Sequence, residues 1–267
     1  MCIIDFHTHA FPDAIAERAI PALEQESSVK AILDGKIGSL LAAMDAAGIA
    51  QSVVCSIATR PEQFAPIVQW SRQIASPRLL PFPSIHPDDP DAAERVREVH
   101  AAGFLGLKLH PYYQTFAIDE PRLYPLYEAI AQCGLVCLMH AGFDPAFPRE
   151  DRCAEPVRIR RVLEAFPALK LVAAHMGAWD DWDEVRAHLL GKPVYMDIAF
   201  LLETMPRAQA RAFLLEHPGE YVLFGTDSPW TDPRDVIANV RALELGPRLE
   251  EMIFYKNAEA LLGSVPA

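Results

Sequence analysis

Residues 3–13, IIDFHTHAFPD, join a short apolar run to two histidines one residue apart, His7 and His9. A short, continuous apolar run is typical of a strand buried on both faces of a parallel sheet. Seven further runs of this kind follow along the chain. Together the eight runs span 2–9, 51–57, 79–87, 104–111, 135–142, 170–177, 193–199 and 221–230.

Segments with helical periodicity separate these runs, for example 37–48, 88–103, 121–134, 156–167 and 204–219. Several end in glycine, a usual helix stop. Strand and helix alternating eight times predict an α/β fold, a single-domain (β/α)8 or TIM barrel over residues 1–267. A doubly wound open sheet is the alternative, but the GxGxxG motif that often follows its first strand is missing. We expect 10–36 and 141–156 to be irregular loops around a pocket.

Composition narrows the classes of partner. The 267 residues carry a formal net charge of −12, so the chain has no electrostatic footprint for nucleic acid or for an anionic membrane surface. There is no secretory signal pattern and no apolar run long enough for a membrane span. The five cysteines lack zinc-ribbon spacing. We therefore expect a cytoplasmic protein with reduced thiols that acts on a small molecule.

Polar residues gather where the predicted strands end. In a parallel barrel these ends open on one face, which carries the chemistry. The residues at or near these ends are His7, His9, His86, Lys108, His110, His140, His175, Asp197 and Asp227. We expect His86, which precedes a proline, to be a loop or capping residue. His100, His188 and His217 fall in helical or loop segments and are expected to be solvated or capping residues.

The spacing of His7 and His9 predicts a metal site. Strand side chains alternate, so both imidazoles point into the barrel mouth, roughly 7 Å apart at the backbone. Imidazole suits Zn²⁺, Fe²⁺ and Mn²⁺. His140, His175 and Asp227 add the nitrogen and oxygen ligands that a catalytic ion needs, with one coordination position left for water.

Five motifs, DFHTH, GLKLHP, LMHAG, AAHMG and FGTDSPW, and the closing IFYKNAEALLG resemble the amidohydrolase superfamily along essentially the whole chain. The chain is most similar to the branch with aminocarboxymuconate-semialdehyde decarboxylase, resorcylate-type decarboxylases and pyrone-dicarboxylate lactonase. The resemblance implies one divalent ion per chain, most often Zn²⁺ with Mn²⁺ or Fe²⁺ as alternatives, and a homodimer. It implies the metal ligands His7, His9, His140 and Asp227.

The resemblance also implies catalytic roles for two residues. Asp227 would accept a proton from the attacking water and deliver it to the leaving group. His175 would polarise the substrate and move a proton, or bind a second metal ion.

Lys108 has three alternative roles at the mouth of the fourth strand. It is carboxylated and bridges two ions, or it stays cationic and binds a substrate carboxylate, or it pairs with Asp197. We favour the cationic role. The other predicted substrate-binding residues are His110, Tyr112 and Trp230. We also expect one of three arginines to hold a carboxylate through two hydrogen bonds. They lie on or just after the loop that follows the fifth strand and are Arg149, Arg152 and Arg158.

Two functions fit these features. The first is hydrolysis of a carboxylate-bearing amide, lactone or ester by a metal-activated water. The second is nonoxidative decarboxylation of an aromatic or unsaturated acid on the same metal platform. The compact chain favours hydrolysis. A barrel that only binds a metal or a ligand is the non-enzymatic alternative.

Overall fold

The computed structural model describes residues 2–263, and its centre is a ring of short parallel strands. The strands are β1 (Ile4–His9), β2 (Gln51–Cys55), β3 (Leu79–Phe82), β4 (Gly106–Leu109), β5 (Val136–Met139), β6 (Lys170–Ala173), β7 (Tyr195–Asp197) and β8 (Val222–Leu223). Strands β1 to β3 pair in one sheet and β4 to β8 in another, each in chain order.

Backbone hydrogen bonds join the two sheets at both seams. The N–H of Lys108 in β4 donates to the carbonyl of Pro83, directly after β3, at 2.9 Å. The N–H of Phe6 in β1 donates to the carbonyl of Phe224, directly after β8, at 2.8 Å. These bonds close the ring, and the predicted TIM barrel is confirmed. That residues 1–267 form one domain stays a prediction.

Helices surround the ring. They are α1 (Asp13–Ser27), α2 (Ile37–Ala47), α3 (Phe64–Ile74), α4 (Ala92–Ala101), α5 (Tyr124–Cys133), α6 (Pro156–Ala165), α7 (Trp182–His188), α8 (Leu201–Thr204), α9 (Arg207–Glu216), α10 (Pro233–Arg241), α11 (Pro247–Glu251) and α12 (Asn257–Leu262). Within residues 2–263, no helix combines the length and apolarity that crossing a membrane requires.

One expectation about the loops is wrong. Residues 10–36 contain the helix α1, which buries Ala16 and Ile20, one turn apart, on one face. Ile20 packs against Gly35, where an added Cβ would meet its side chain at 2.7 Å. Tertiary packing therefore stabilises this helix despite Pro21 in its interior. The other stretch, 141–156, contains no helix or strand before α6 begins at Pro156, as expected.

The barrel interior is apolar below the site. Its side chains include Phe6, Val53, Phe82, Leu138 and Val172, and these belong to one buried cluster that α12 also joins. The register of β1 against β2 shifts between Asp5 and Thr8, where β1 contains one extra residue. Such a bulge changes the alternation of a strand. It lets Phe6 belong to the interior cluster while His7, the next residue, lines the cavity above it.

Candidate metal centre

Three potential ligand atoms meet at the mouth of the barrel. The Nε2 atoms of His7 and His9, at the end of β1, lie 3.2 Å apart. Oδ1 of Asp227, in the loop after β8, lies 3.2 Å from Nε2 of His9 and 3.6 Å from Nε2 of His7. The N–H of Asp227 donates to the carbonyl of His7 at 2.7 Å, which ties the two segments together.

Hydrogen bonds at the far side of each ring determine the tautomers of both histidines. Nδ1 of His9 lies 3.1 Å from the carbonyl oxygen of Cys55, which can only accept, so this nitrogen carries the hydrogen. Nδ1 of His7 likewise faces Oδ2 of Asp197 at 3.0 Å. Both Nε2 atoms therefore present lone pairs to one another and to the Asp227 carboxylate. Such a group of buried acceptors fits a divalent cation with nitrogen and oxygen ligands.

Burial supports the same protonation states. It lowers the pKa of His7 and of His9, with the positive charge of Lys108 acting in the same direction. Burial alone would raise the pKa of Asp227, but its interactions with His7 and His9 outweigh that effect and hold the pKa well below its usual range. Each of the three groups thus favours the deprotonated form that metal binding requires.

Lys108 is completely buried beside these atoms, with Nζ 3.0 Å from Nε2 of His7. Its predicted pairing with Asp197 does not appear among the ion pairs of the described residues. The Asp197 oxygens instead contact Nδ1 of His7 and accept the backbone N–H groups of His175 and Ala199. The choice between a cationic and a carboxylated Lys108 stays a prediction.

His140 and His175 form a pair beside the first group. Nδ1 of His175 lies 3.2 Å from the carbonyl oxygen of Ala199 and carries the hydrogen, so its Nε2 accepts from Nδ1 of His140 at 3.1 Å. Nε2 of His140 is then a buried lone pair without a protein partner. This is the state that a metal ligand needs, although His140 does not share the tight cluster of His7, His9 and Asp227.

Backbone conformation marks both predicted catalytic residues. His175 has φ 57° and Asp227 has φ 59°, values in the left-handed region that residues other than glycine rarely adopt. Strain of this kind concentrates at functional sites. Burial also lowers the pKa of His175 to about 4, so its imidazole is neutral at pH 7.

A third cluster contains His110, His140 and Asp144. Nε2 of His110 lies 3.3 Å from Oδ2 of Asp144. The rings of His110 and His140 are stacked, with centroids 4.1 Å apart and planes 17° from parallel. Because nearly parallel rings direct their lone pairs side by side, they do not converge on one ion. This cluster therefore has the geometry of a cavity wall rather than of a metal site.

The cavity above the metal-ligand atoms contains about 660 Å³ of non-atom space, part of it open to solvent. Of the predicted substrate-binding residues, Lys108, His110 and Trp230 line it. Tyr112 does not. Its hydroxyl lies 3.0 Å from the carbonyl oxygens of Gly142 and of Asp151, so it supports the loop after β5.

Several cavity-wall residues are not among the predicted substrate-binding residues. Tyr113, rather than Tyr112, lines the cavity, and alternation along a strand cannot identify it because it lies in a turn. Phe200 stacks on Trp179, with centroids 4.3 Å apart, and no motif singles it out. Asp144 is the other missed residue. Its only signal is its position five residues after β5 ends at Met139.

The three arginines proposed as a carboxylate clamp do not line this cavity. Their guanidinium groups form ion pairs with acids on the outer loops: Arg149 with Asp180, Arg152 with Glu155 and Arg158 with Asp119. These acids occupy the forks that would hold a substrate carboxylate, so the clamp prediction is wrong.

Of the four remaining histidines, three lie where the sequence predicts and one does not. Nδ1 of His86 accepts the N–H of Asp88 at 3.1 Å, as expected of a loop residue. His100 is exposed and His188 is partly exposed beside Glu184. His217 is only 3% exposed, and its Nε2 donates to the carbonyl of Val194 at 2.9 Å. The expectation that His217 is solvated or a capping residue is therefore wrong.

Comparison with known proteins places this geometry in a family. The chain matches the amidohydrolase family over residues 4–264 and belongs to it. It is an enzyme of the amidohydrolase superfamily, whose members include hydrolases and decarboxylases.

Curated relatives by sequence include the dihydroorotases of Marinobacter nauticus and Pseudomonas fluorescens. The first is 32% identical over 117 residues, which cover 40% of this chain and 34% of that protein. The second is 26% identical over 186 residues, which cover 66% of this chain and 49% of that protein. The aligned region thus spans half or less of the length of these relatives.

Solved structures share the fold over nearly the whole chain. An uncharacterised TIM-barrel protein from Bordetella bronchiseptica has a TM-score of 0.79 at 23% identity and covers 98% of both chains. The 5-carboxyvanillate decarboxylase of Sphingomonas paucimobilis has a TM-score of 0.70 at 18% identity and covers 97% of this chain and 98% of that one. A second 5-carboxyvanillate decarboxylase, from Novosphingobium aromaticivorans, contains bound manganese. It has a TM-score of 0.71 at 15% identity and covers 98% of this chain and 97% of that one.

Proposed function

We propose that this protein hydrolyses a small amide, lactone or ester that carries a carboxylate, with water activated by one divalent metal ion per chain. The observation that carries this proposal is the convergence of Nε2 of His7, Nε2 of His9 and Oδ1 of Asp227 at the floor of the cavity. We further propose Zn²⁺ as the ion and a homodimer, as the resemblance implies, and a cytoplasmic location with reduced thiols.

The chain supplies the groups that hold the ion and move protons. His7, His9 and Asp227 would hold it, with the free Nε2 of His140 as a further ligand. A divalent ion bound here supplies Lewis acidity and lowers the pKa of water to about 7. The carboxylate of Asp227 accepts the proton of the attacking water and delivers it to the leaving group. His175, whose ring centroid lies 5.3 Å from that of His7, assists that proton transfer by accepting a proton at Nε2, and once protonated there it polarises the substrate.

Lys108 gives the substrate its orientation in this proposal. Its ammonium group, buried beside His7, provides a fixed positive charge for a substrate carboxylate or for a developing oxyanion. The aromatic walls hold the apolar part of the substrate. They consist of Phe11, Tyr113, Trp179, Phe200 and Trp230.

The same walls favour a second candidate, nonoxidative decarboxylation of an aromatic acid. The stacked pair of Trp179 and Phe200 and the neighbouring Trp230 suit a planar ring. Solved structures of similar fold include 5-carboxyvanillate and 2,6-dihydroxybenzoate decarboxylases. In that reaction the ion orients the substrate, and protonation of a carbon is the key step.

One experiment separates the candidates. The protein is purified without chelator, its metal content is measured by elemental mass spectrometry, and it is assayed with lactones, amides, esters and aromatic acids. We expect about one ion per chain and release of acid or amine. Release of carbon dioxide would support the decarboxylase instead. A metal-free protein without metal affinity would exclude both reactions.

A variant tests the assignment of the catalytic groups. We expect His175→Asn to abolish turnover, a loss on the order of 10²-fold or more, while one ion remains bound. His188→Asn, on the outer helix α7, is the matched control and should keep full activity. Full activity in His175→Asn would exclude the proposed role.

A further inference from the structure

The cavity wall is electrostatically uneven. Among the described residues that line it, Lys108 is the only lysine or arginine. Asp144 and Asp227 are the acids, and Asp227 belongs to the metal-ligand atoms. Asp144 is therefore the one carboxylate of the wall that the proposed reaction leaves unused.

Asp144 is held rigidly in place. Its side chain is about nine-tenths buried, Oδ1 accepts the N–H of Ala146 at 2.8 Å and Oδ2 faces Nε2 of His110 at 3.3 Å. Within residues 2–263, no lysine or arginine pairs with Asp144. The Ala146 N–H and the His110 imidazole thus fix the position of this carboxylate, and no lysine or arginine of the described residues offsets its charge.

The two charges lie at different depths. Lys108 lies within β4 and contacts His7 at the cavity floor. His110 follows two residues later, beyond the end of the strand, and Asp144 contacts it from the loop after β5. With a divalent ion held by Asp227 and the two histidines, the cavity would consequently be positive at its inner end and negative at the level of His110 and Asp144.

We propose that Asp144 determines substrate specificity. A substrate has one anionic group, directed to Lys108 at the inner end, and a neutral hydrogen-bond donor such as a hydroxyl or an amino group where it meets Asp144. A second carboxylate at that level meets a like charge that no arginine offsets, and it is rejected. The inference rests on the proposed function, since it concerns the substrate of the same site.

The test measures binding rather than turnover. Calorimetry on the metal-loaded protein at pH 7.5 compares benzoate, 3-aminobenzoate and isophthalate, which differ only at the ring position meta to the first carboxylate. We expect isophthalate to bind at least about tenfold more weakly than benzoate. We expect 3-aminobenzoate to bind at least as tightly as benzoate.

Variants assign the effect to one side chain. Asp144→Asn removes the charge but keeps an oxygen that can accept the N–H of Ala146, and Asp144→Ala removes the whole polar group. In both variants the dissociation constant of isophthalate should lie within about threefold of that of benzoate. The matched control is Asp180→Asn, an acid of the outer loop paired with Arg149, and it should keep the wild-type difference. Thermal melting verifies that each variant is folded.

Three results would overturn the inference. They are equal binding of benzoate and isophthalate to the wild type, an unchanged difference in both Asp144 variants, and no binding of benzoate at millimolar concentration. The proposed function fails separately. A protein that discriminates as expected but releases carbon dioxide from its substrate keeps the role of Asp144 and excludes hydrolysis.

Discussion

The Asp197 carboxylate connects His7 to His175. Its Oδ2 lies 3.0 Å from Nδ1 of His7, and its Oδ1 accepts the backbone N–H groups of His175 at 3.0 Å and of Ala199 at 3.1 Å. One buried side chain thus determines the tautomer of a proposed ligand and holds the strained turn that carries the proposed catalytic histidine. Partners of this kind orient metal-binding histidines in many proteins.

Asp197→Asn should weaken metal binding about 10- to 100-fold. The asparagine oxygen remains with the two backbone N–H groups, so its amide nitrogen faces Nδ1 of His7. That amide can only donate, which moves the His7 hydrogen to Nε2 and removes the lone pair that faces the ion. Competition with a chelator measures the dissociation constant. Asp183→Asn, on the outer helix α7, is the control, and equal affinity in both variants would contradict the role of Asp197.

Lys108→Met tests the role of the buried lysine. If its ammonium group binds a substrate carboxylate, KM should rise about tenfold or more while one ion stays bound. The ion should also bind at least as tightly as in the wild type, because a cation 3.0 Å from Nε2 of His7 is removed. A fall from two ions per chain to one would instead identify Lys108 as a carboxylated bridge. Elemental mass spectrometry and steady-state kinetics distinguish the two roles.

The sequence predicted the barrel because its signal is repeated along the chain. Short apolar runs that end in polar residues alternate with helical periodicity, and the carboxyl ends of parallel strands must share one face. That rule alone brings His7, His9 and Asp227 together. It could not reveal the bulge in β1, because nearly every residue of this strand is buried and no alternation of buried and exposed positions marks its two faces.

The walls of the cavity were harder to predict. Tyr112 and Tyr113 are adjacent in a turn, where no fixed alternation decides which ring faces the substrate, and the structure brings Tyr113 into the cavity. The roles of Arg149 and Asp144 depend on contacts between loops that are distant in sequence. Arg149 turns outward to Asp180, while Asp144 remains in the wall.

The buried imidazole of His217 should make the stability of the fold depend on pH. Burial lowers its pKa below the usual 6.5, while the unfolded chain keeps the usual value. Below about pH 6.5 the unfolded state therefore binds more protons, and stability falls as the pH falls, by at most about 1.4 kcal/mol per pH unit for one proton. Above that pH the contribution is fully present.

His217→Gln should remove this contribution, because an amide can still donate to the carbonyl of Val194 but does not titrate. Urea unfolding at about pH 7.5, 6.0 and 5.0, one value above and two below the usual histidine pKa, measures the slope of the unfolding free energy against pH. Other buried histidines act in the same direction, so the comparison with the wild type isolates this one. His100→Gln, exposed on α4, should keep the wild-type slope. A His217→Gln slope equal to that of the wild type would exclude the assignment.

Gly142→Ala should damage both folding and activity. Gly142 has φ +80°, and an added Cβ would lie 2.1 Å from the backbone nitrogen of Trp179, which lines the cavity. Gly134, at the end of α5, has φ +66° but open space around the same position. Gly134→Ala should therefore cost only about 1 kcal/mol for the left-handed conformation.

Gly142→Ala adds a clash with backbone to that cost, so its unfolding free energy should fall by about 2–4 kcal/mol in total. Its kcat/KM should fall too, because relief of the clash displaces Trp179 from the cavity wall. Urea unfolding and steady-state kinetics of the two variants, measured with the same metal loading, separate conformational strain from the clash. Equal losses of stability in both variants would show that the close approach of Trp179 to Gly142 does not constrain this loop.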